Sequence, residues 1–153
     1  MPLAFTYPLM KRFTYWPQLY LGITFNYGII LGWTCINPEV DIKPIIFYLG
    51  AIFWTLGYDT IYGYQDIKDD EIIGVKSTSI LFKNNSKMFL KIVFFLFVLL
   101  YLTMGYLMKL NLAFFILSII PISHLFLYQI NKFDSLKPET CLNTVSYTHL
   151  RAH

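Results

Sequence analysis

Four long apolar runs constrain this chain more than any other feature, because each is close to the 20 or so residues an α-helix needs to span a hydrocarbon core. The first lies between Arg12 and Glu39, with its apolar centre at Leu19 to Ile36. The second runs from Pro44 to Tyr64 and carries Asp59 in its last third. The third, Ile92 to Met108, is bracketed by Lys91 and Lys109, whose aliphatic stems let the ammonium groups reach the membrane surface. The fourth, Leu110 to Ile130, contains Pro121, which a membrane helix tolerates when neighbouring groups satisfy the freed carbonyl. The expected fold class is therefore all-α: a polytopic membrane helix bundle with about four transmembrane helices, in contact with the lipid bilayer.

Composition agrees. With 56% hydrophobic and only 14% charged residues, and a mean hydropathy of +0.53, the chain lacks the polar surface to wrap a water-facing globule. Its 19% aromatic content suits lipid contact, interfacial belts and an aromatic-lined cavity. The net charge of +3 is small, and no nucleic-acid partner is expected. Cys35 and Cys141 have neither disulfide nor metal-ligand spacing and read as packing residues. Met1 to Met10 does not resemble a signal peptide, since Lys11 and Arg12 follow the apolar stretch instead of preceding it, so insertion is expected to be driven by the spans.

The distribution of basic residues orients the bundle. Lys11, Arg12, Lys68, Lys76, Lys83, Lys87, Lys91, Lys132, Lys137 and Arg151 fall on one side of the four runs, against Lys43 and Lys109 on the other. The positive-inside rule then places both termini and the central loop, 65 to 91, on the cytoplasmic side.

That loop carries the chemistry. Five of the nine acidic residues fall between Asp59 and Glu71. On a helix continuing through this point, Asp59, Tyr62 and Asp66 share a face and Asp66 and Asp70 stand one turn apart, forming a carboxylate ladder that enters the span. Asp59 is expected about two turns inside the membrane, where an ionisable group is functional by default. Crowded like charges near lipid call for a cation, and Mg²⁺ characteristically takes one or two carboxylates while keeping positions for phosphate oxygens and water. Lys76, Ser77 and Thr78, after Gly74, offer an ammonium and hydroxyls to such a phosphate. The competing reading is a solvated acidic loop with helix-end electrostatics. An ion relay would also use Asp59, as in a membrane transporter or ion-binding fragment. His124 reads as a side chain bonding to a neighbouring helix.

The stretch YDTIYGYQDIKDDEIIGVKSTSILF, Tyr58 to Phe82, closely resembles the second aspartate-rich motif of the UbiA-type 4-hydroxybenzoate polyprenyltransferases of ubiquinone synthesis. YPLMKRFTYWPQLYLG, Tyr7 to Gly22, is similar to the same family's loop and helix entry ahead of that motif. The resemblance covers about Met1 to Asn143. It implies an intramembrane bundle that binds polyprenyl diphosphate with Mg²⁺ and transfers the prenyl chain to the ring of 4-hydroxybenzoate. Asp66 and Asp70 would be the principal metal ligands, with Asp69 and Asp59 supporting them. Asp59 and Lys76 would stand closest to the chemistry, Lys76 pairing with the diphosphate. Ser77 and Tyr62 would contact substrate, and Lys11 and Arg12 match basic positions suited to the benzoate carboxylate. Trp54, Tyr58 and Tyr62 offer aromatic faces to an allylic cation.

Two features depart from the family pattern. Its first aspartate-rich motif, of the N-x-x-x-D-x-x-x-D kind, has no counterpart here, so the chain is expected to hold one half of such an enzyme and to be inactive by itself. The polar tail from Thr144 to His153 stands where the family continues into another membrane helix and reads as foreign sequence, giving His149 and His153 no functional weight.

Overall fold

The computed structural model describes residues 2–37 and 41–133. All regular structure among them is helical: α1 (Pro2–Phe13), α2 (Pro17–Phe25), α3 (Gly28–Ile36), α4 (Ile42–Gly63), α5 (Ile67–Ile73), α6 (Thr78–Leu81), α7 (Ser86–Leu107), α8 (Leu112–Ser123) and α9 (Ile130–Lys132). Four stretches of the described residues are long and apolar enough to cross a membrane: 17–36, 42–63, 83–107 and 112–129. These are the four apolar runs of the sequence. The expected foreign tail at 144–153 and Cys141 lie outside the described residues.

The first span is broken. Asn26 caps α2, and its side-chain amide lies within hydrogen-bond reach of the Gly22 carbonyl at 2.8 Å, the Ala51 carbonyl at 3.2 Å and the Thr55 hydroxyl at 2.8 Å. A side chain that competes with the backbone for its own carbonyls turns the chain; Ala51 and Thr55 on α4 accept from the Asn26 amide, and the Ile23 carbonyl beside the break accepts from the Tyr48 hydroxyl of α4 at 2.6 Å. Just before it, Gly22 lets α2 approach α4 closely: a Cβ there would stand 3.1 Å from the Ile52 carbonyl oxygen.

α4 is the central pillar, packed on α7 and α2. Asp41 caps its start, accepting from the Lys43 amide and pairing with the Lys43 ammonium at 2.6 Å. The core between α4 and α7 centres on Leu56, Ile61, Leu90, Val93 and Phe94, closed at one end by Leu125, Ile130 and Phe133. Gly57 makes room for the Phe94 ring. In α8, Pro121 cannot donate to the carbonyl one turn back, and the helix widens into a π-helical segment, His124–Gln129, immediately beyond it. The His124 ring stacks on Tyr128 of the same segment, with centroids 5.0 Å apart.

Candidate active site

The helix expected to run unbroken from Asp59 to Asp70 ends at Gly63. Tyr64 caps α4, Gln65 and Asp66 turn the chain, and α5 begins at Ile67. The cause is Tyr64: its ring is fully buried against Phe133, with centroids 5.1 Å apart, and its hydroxyl donates to the Phe82 carbonyl at 3.1 Å. Burying that ring in the core redirects the backbone. Asp59 and Asp66 therefore lie on different helices, and Asp59 stands one turn from the end of α4, not two.

Asp66 and Asp70 do stand one turn apart, the Asp70 amide donating to the Asp66 carbonyl at 2.8 Å. The Asp66 carboxylate makes no capping bond. α5 ends on Gly74, whose φ of +76° is open to a residue without a Cβ, with the Val75 amide returning to the Asp70 carbonyl at 3.1 Å. This sharp stop directs the chain back to the end of α1.

There the Lys76 amide donates to the Lys11 carbonyl at 2.7 Å, so the two lysines, distant in sequence, have touching backbones. The Lys76 ammonium sits 5.4 Å over the Tyr15 ring, a cation–π contact that orients its head. Burial pushes the Asp70 carboxyl above its ordinary value; Lys11 pulls it back, and Asp66 and Asp69 push it further up.

Other expected residues are placed differently. Ser77 is buried, and its hydroxyl oxygen accepts from the Ile80 amide at 3.2 Å as the N-cap of α6. Thr78 and Ser79 also turn inward, to Gln18 and to the Thr60 carbonyl. Asp66, Asp69 and Arg12 are exposed, as is Tyr62 on α4. Glu71 is paired with Lys83 at 2.7 Å. Among the described residues, none of Asp59, Asp66, Asp69 and Asp70 is in an ion pair, and no three acidic, His or Cys side chains converge as a ready metal cage. Asp66 and Asp70 are two carboxylates one turn apart, neither held by a basic side chain among the described residues.

Sequence reasoning missed Gln18, Tyr15 and Gln65. Gln18 is buried, and the Gln65 Nε2 is enclosed with no hydrogen-bond partner among the described residues. An amide beside or within an apolar run is the signal that marks Gln18 and Asn26, since a polar side chain in a bundle needs a partner across helices.

The UbiA prenyltransferase family matches residues 1–150 of this chain. Among curated proteins, the mitochondrial 4-hydroxybenzoate polyprenyltransferase of Bos taurus is 54% identical over 89 residues, which are 58% of this chain and 24% of that protein. Its Arabidopsis thaliana counterpart is 51% identical over 89 residues, covering 58% and 22%. The Homo sapiens protein is 52% identical over 86 residues, covering 56% and 23%. The match thus spans about a quarter of the length of these relatives. No solved structure matches the chain. These likenesses do not favour a transporter or ion-relay reading of Asp59.

Proposed function

This chain belongs to the UbiA prenyltransferase family, and from that we propose that it carries part of a multi-pass, inner-membrane enzyme that transfers a polyprenyl group from polyprenyl diphosphate to the ring of 4-hydroxybenzoate in ubiquinone biosynthesis. The observation that carries this reading is the meeting of Lys11 and Lys76, which the fold brings together beside the end of a membrane-length helix and the loop bearing Asp66, Asp69 and Asp70. Cations and carboxylates side by side at the membrane edge are what a divalent metal and a diphosphate together require.

In this reading Asp66 and Asp70 hold Mg²⁺, with Asp69 and Asp59 supporting them. When bound, the metal supplies positive charge to the departing diphosphate. Lys76, aimed by the Tyr15 ring, pairs with a diphosphate oxygen, and placing that ammonium in advance lowers the reorganisation needed as the allylic C–O bond ionises. Tyr58 and Tyr62, both exposed at the loop end of α4, present ring faces to the resulting cation. Lys11 and the adjacent exposed Arg12 supply the positive field for the benzoate carboxylate. The activated ring then attacks the cation, forming the C–C bond, and the proton on the attacked ring carbon is lost to a base. Because the matched segment is about a quarter of its relatives, ionisation is expected to need ligands that this chain does not supply, and the chain by itself to transfer no prenyl group.

The test is substitution in the complete enzyme. Asp66→Asn and Asp70→Asn keep size and hydrogen bonding but remove the charge a metal needs, and each should lower kcat/KM at least about a hundredfold, since such a metal contributes several kcal/mol. Glu71→Gln, whose carboxylate is engaged by Lys83, should have little effect. Equal, mild losses at all three positions, unaffected by added Mg²⁺, would reduce the acidic loop to surface.

A further inference from the structure

Residues 75–79 meet residues 11–18 at three points, and these differ in how easily water can replace them. The Lys76 amide bonds to the Lys11 carbonyl and its ammonium covers the Tyr15 ring, and both lysines are only half-buried. The third contact is enclosed on both sides. Gln18 is 3% exposed and Thr78 is fully buried. The Gln18 Oε1 accepts from the Thr78 amide at 3.0 Å and from its hydroxyl at 2.8 Å. The Tyr15 carbonyl is a second acceptor for that hydroxyl, at 3.1 Å. Close by, the Ser79 hydroxyl donates to the Thr60 carbonyl at 2.9 Å, and the Gln18 Nε2 lies 3.3 Å from where a Cβ on Gly63 would stand, so the clamp abuts the end of α4.

We infer that Gln18 is a positioning residue: through Thr78 it holds the Lys76 segment against the end of α1 at Lys11, and so keeps the Lys76 ammonium in place to meet a diphosphate. The inference rests on the diphosphate reading of Lys76 given above. The half-buried contacts of Lys76 yield to water, so the register of this segment depends on its enclosed bonds. If the Gln18 acceptor is lost, the Thr78 N–H and O–H face desolvation without a full set of partners, and the segment relieves this by moving towards water. Lys76 moves with it. An uncharged clamp suits the purpose, because it neither competes with the diphosphate nor neutralises either lysine.

The test uses the 153-residue chain in lipid nanodiscs, with two readouts: amide hydrogen exchange, and affinity for inorganic pyrophosphate in the presence of Mg²⁺. Gln18→Met should speed exchange at Lys76 and Thr78 at least about tenfold, the scale of one buried hydrogen bond, while residues 44–63 of α4 keep their protection. Pyrophosphate affinity should fall by about the same factor. Thr78→Val keeps the volume and removes only the hydroxyl; it should act in the same direction, and it decides the matter if Gln18→Met does not fold. Thr78→Ser, which restores a hydroxyl, should match the unmodified chain. Unchanged Lys76 exchange in Gln18→Met and Thr78→Val would overturn the inference, as would a loss of protection spread evenly through α4. Faster exchange with undiminished pyrophosphate affinity would leave Gln18 a structural tie and overturn its role towards the anion. If the unmodified chain binds no pyrophosphate, the diphosphate reading of this segment loses its support, while the exchange measurement still decides whether the clamp exists.

Discussion

At the loop end of the bundle Gln18, Thr60, Ser77, Thr78, Ser79 and Ser86 are buried polar side chains, and Gln18, Thr78 and Ser79 bond across elements. At the opposite end α3 buries no residue, and cavities of about 460 and 700 Å³ lie between α3 and the far ends of α4 and α7. Hydrogen bonds are directional and fail over a few tenths of an ångström, whereas apolar contacts tolerate sliding. The bundle therefore has its positional accuracy where Lys11, Lys76 and the carboxylates meet, and it is loosely filled where no charged cluster needs placing.

Adding one methyl group at each end tests this contrast most severely. A Cβ on Gly63 would stand 2.5 Å from the Ser79 Oγ, so Gly63→Ala should break the Ser79–Thr60 bond and cost about 1–3 kcal/mol, read as a lower unfolding midpoint in detergent. A Cβ on Gly32 meets nothing within 4 Å, and Gly32→Ala should leave the midpoint unchanged or raise it by up to about 1 kcal/mol through helix propensity. Equal losses at the two sites would erase the distinction between the ends.

A smaller effect is expected from Tyr64→Phe, which keeps the buried ring against Phe133 but removes the donor to the Phe82 carbonyl. The loss should be about 1 kcal/mol, with faster amide exchange concentrated in residues 64–82. Exchange rising instead throughout α7 would show that the hydroxyl supports the whole core and not the turn.

The smallest effect concerns pH. The folded protein raises the Asp70 carboxyl above its ordinary value, chiefly by burial. The protonated form is thus favoured by folding: Asp70's contribution to stability is fully present below the unfolded value of about 3.8 and is lost as pH rises through the raised folded value. Asp70→Asn should flatten the fall in unfolding midpoint on the alkaline side of about pH 4. Affinity for a divalent ion should run the opposite way, rising over the same window as the carboxylate ionises. A midpoint that climbs with pH there in the unmodified chain but not in Asp70→Asn would reverse the assigned sign.

Hydropathy and spacing were enough to locate the four spans, because lipid imposes the same length and polarity on any helix that crosses it, whatever its neighbours. They also placed the carboxylates at the end of the second span, and the one-turn relation of Asp66 to Asp70 held because it is local to one helix. The breaks were different. Asn26 divides the first span because Thr55 and Ala51 lie opposite it, and α4 stops at Gly63 because Tyr64 finds a buried place against Phe133. Helical periodicity contains no information about either partner. Ser77 and Thr78, read along the chain as hydroxyls available to a phosphate, face inward because α6 needs a cap and because Gln18, sixty positions away, presents an acceptor. Only packing brought Lys11 to Lys76. A hydrogen bond or charge contact between distant segments depends on how whole helices pack, and that packing is set by the tertiary structure, while apolar length and carboxylate spacing can be read from the chain alone.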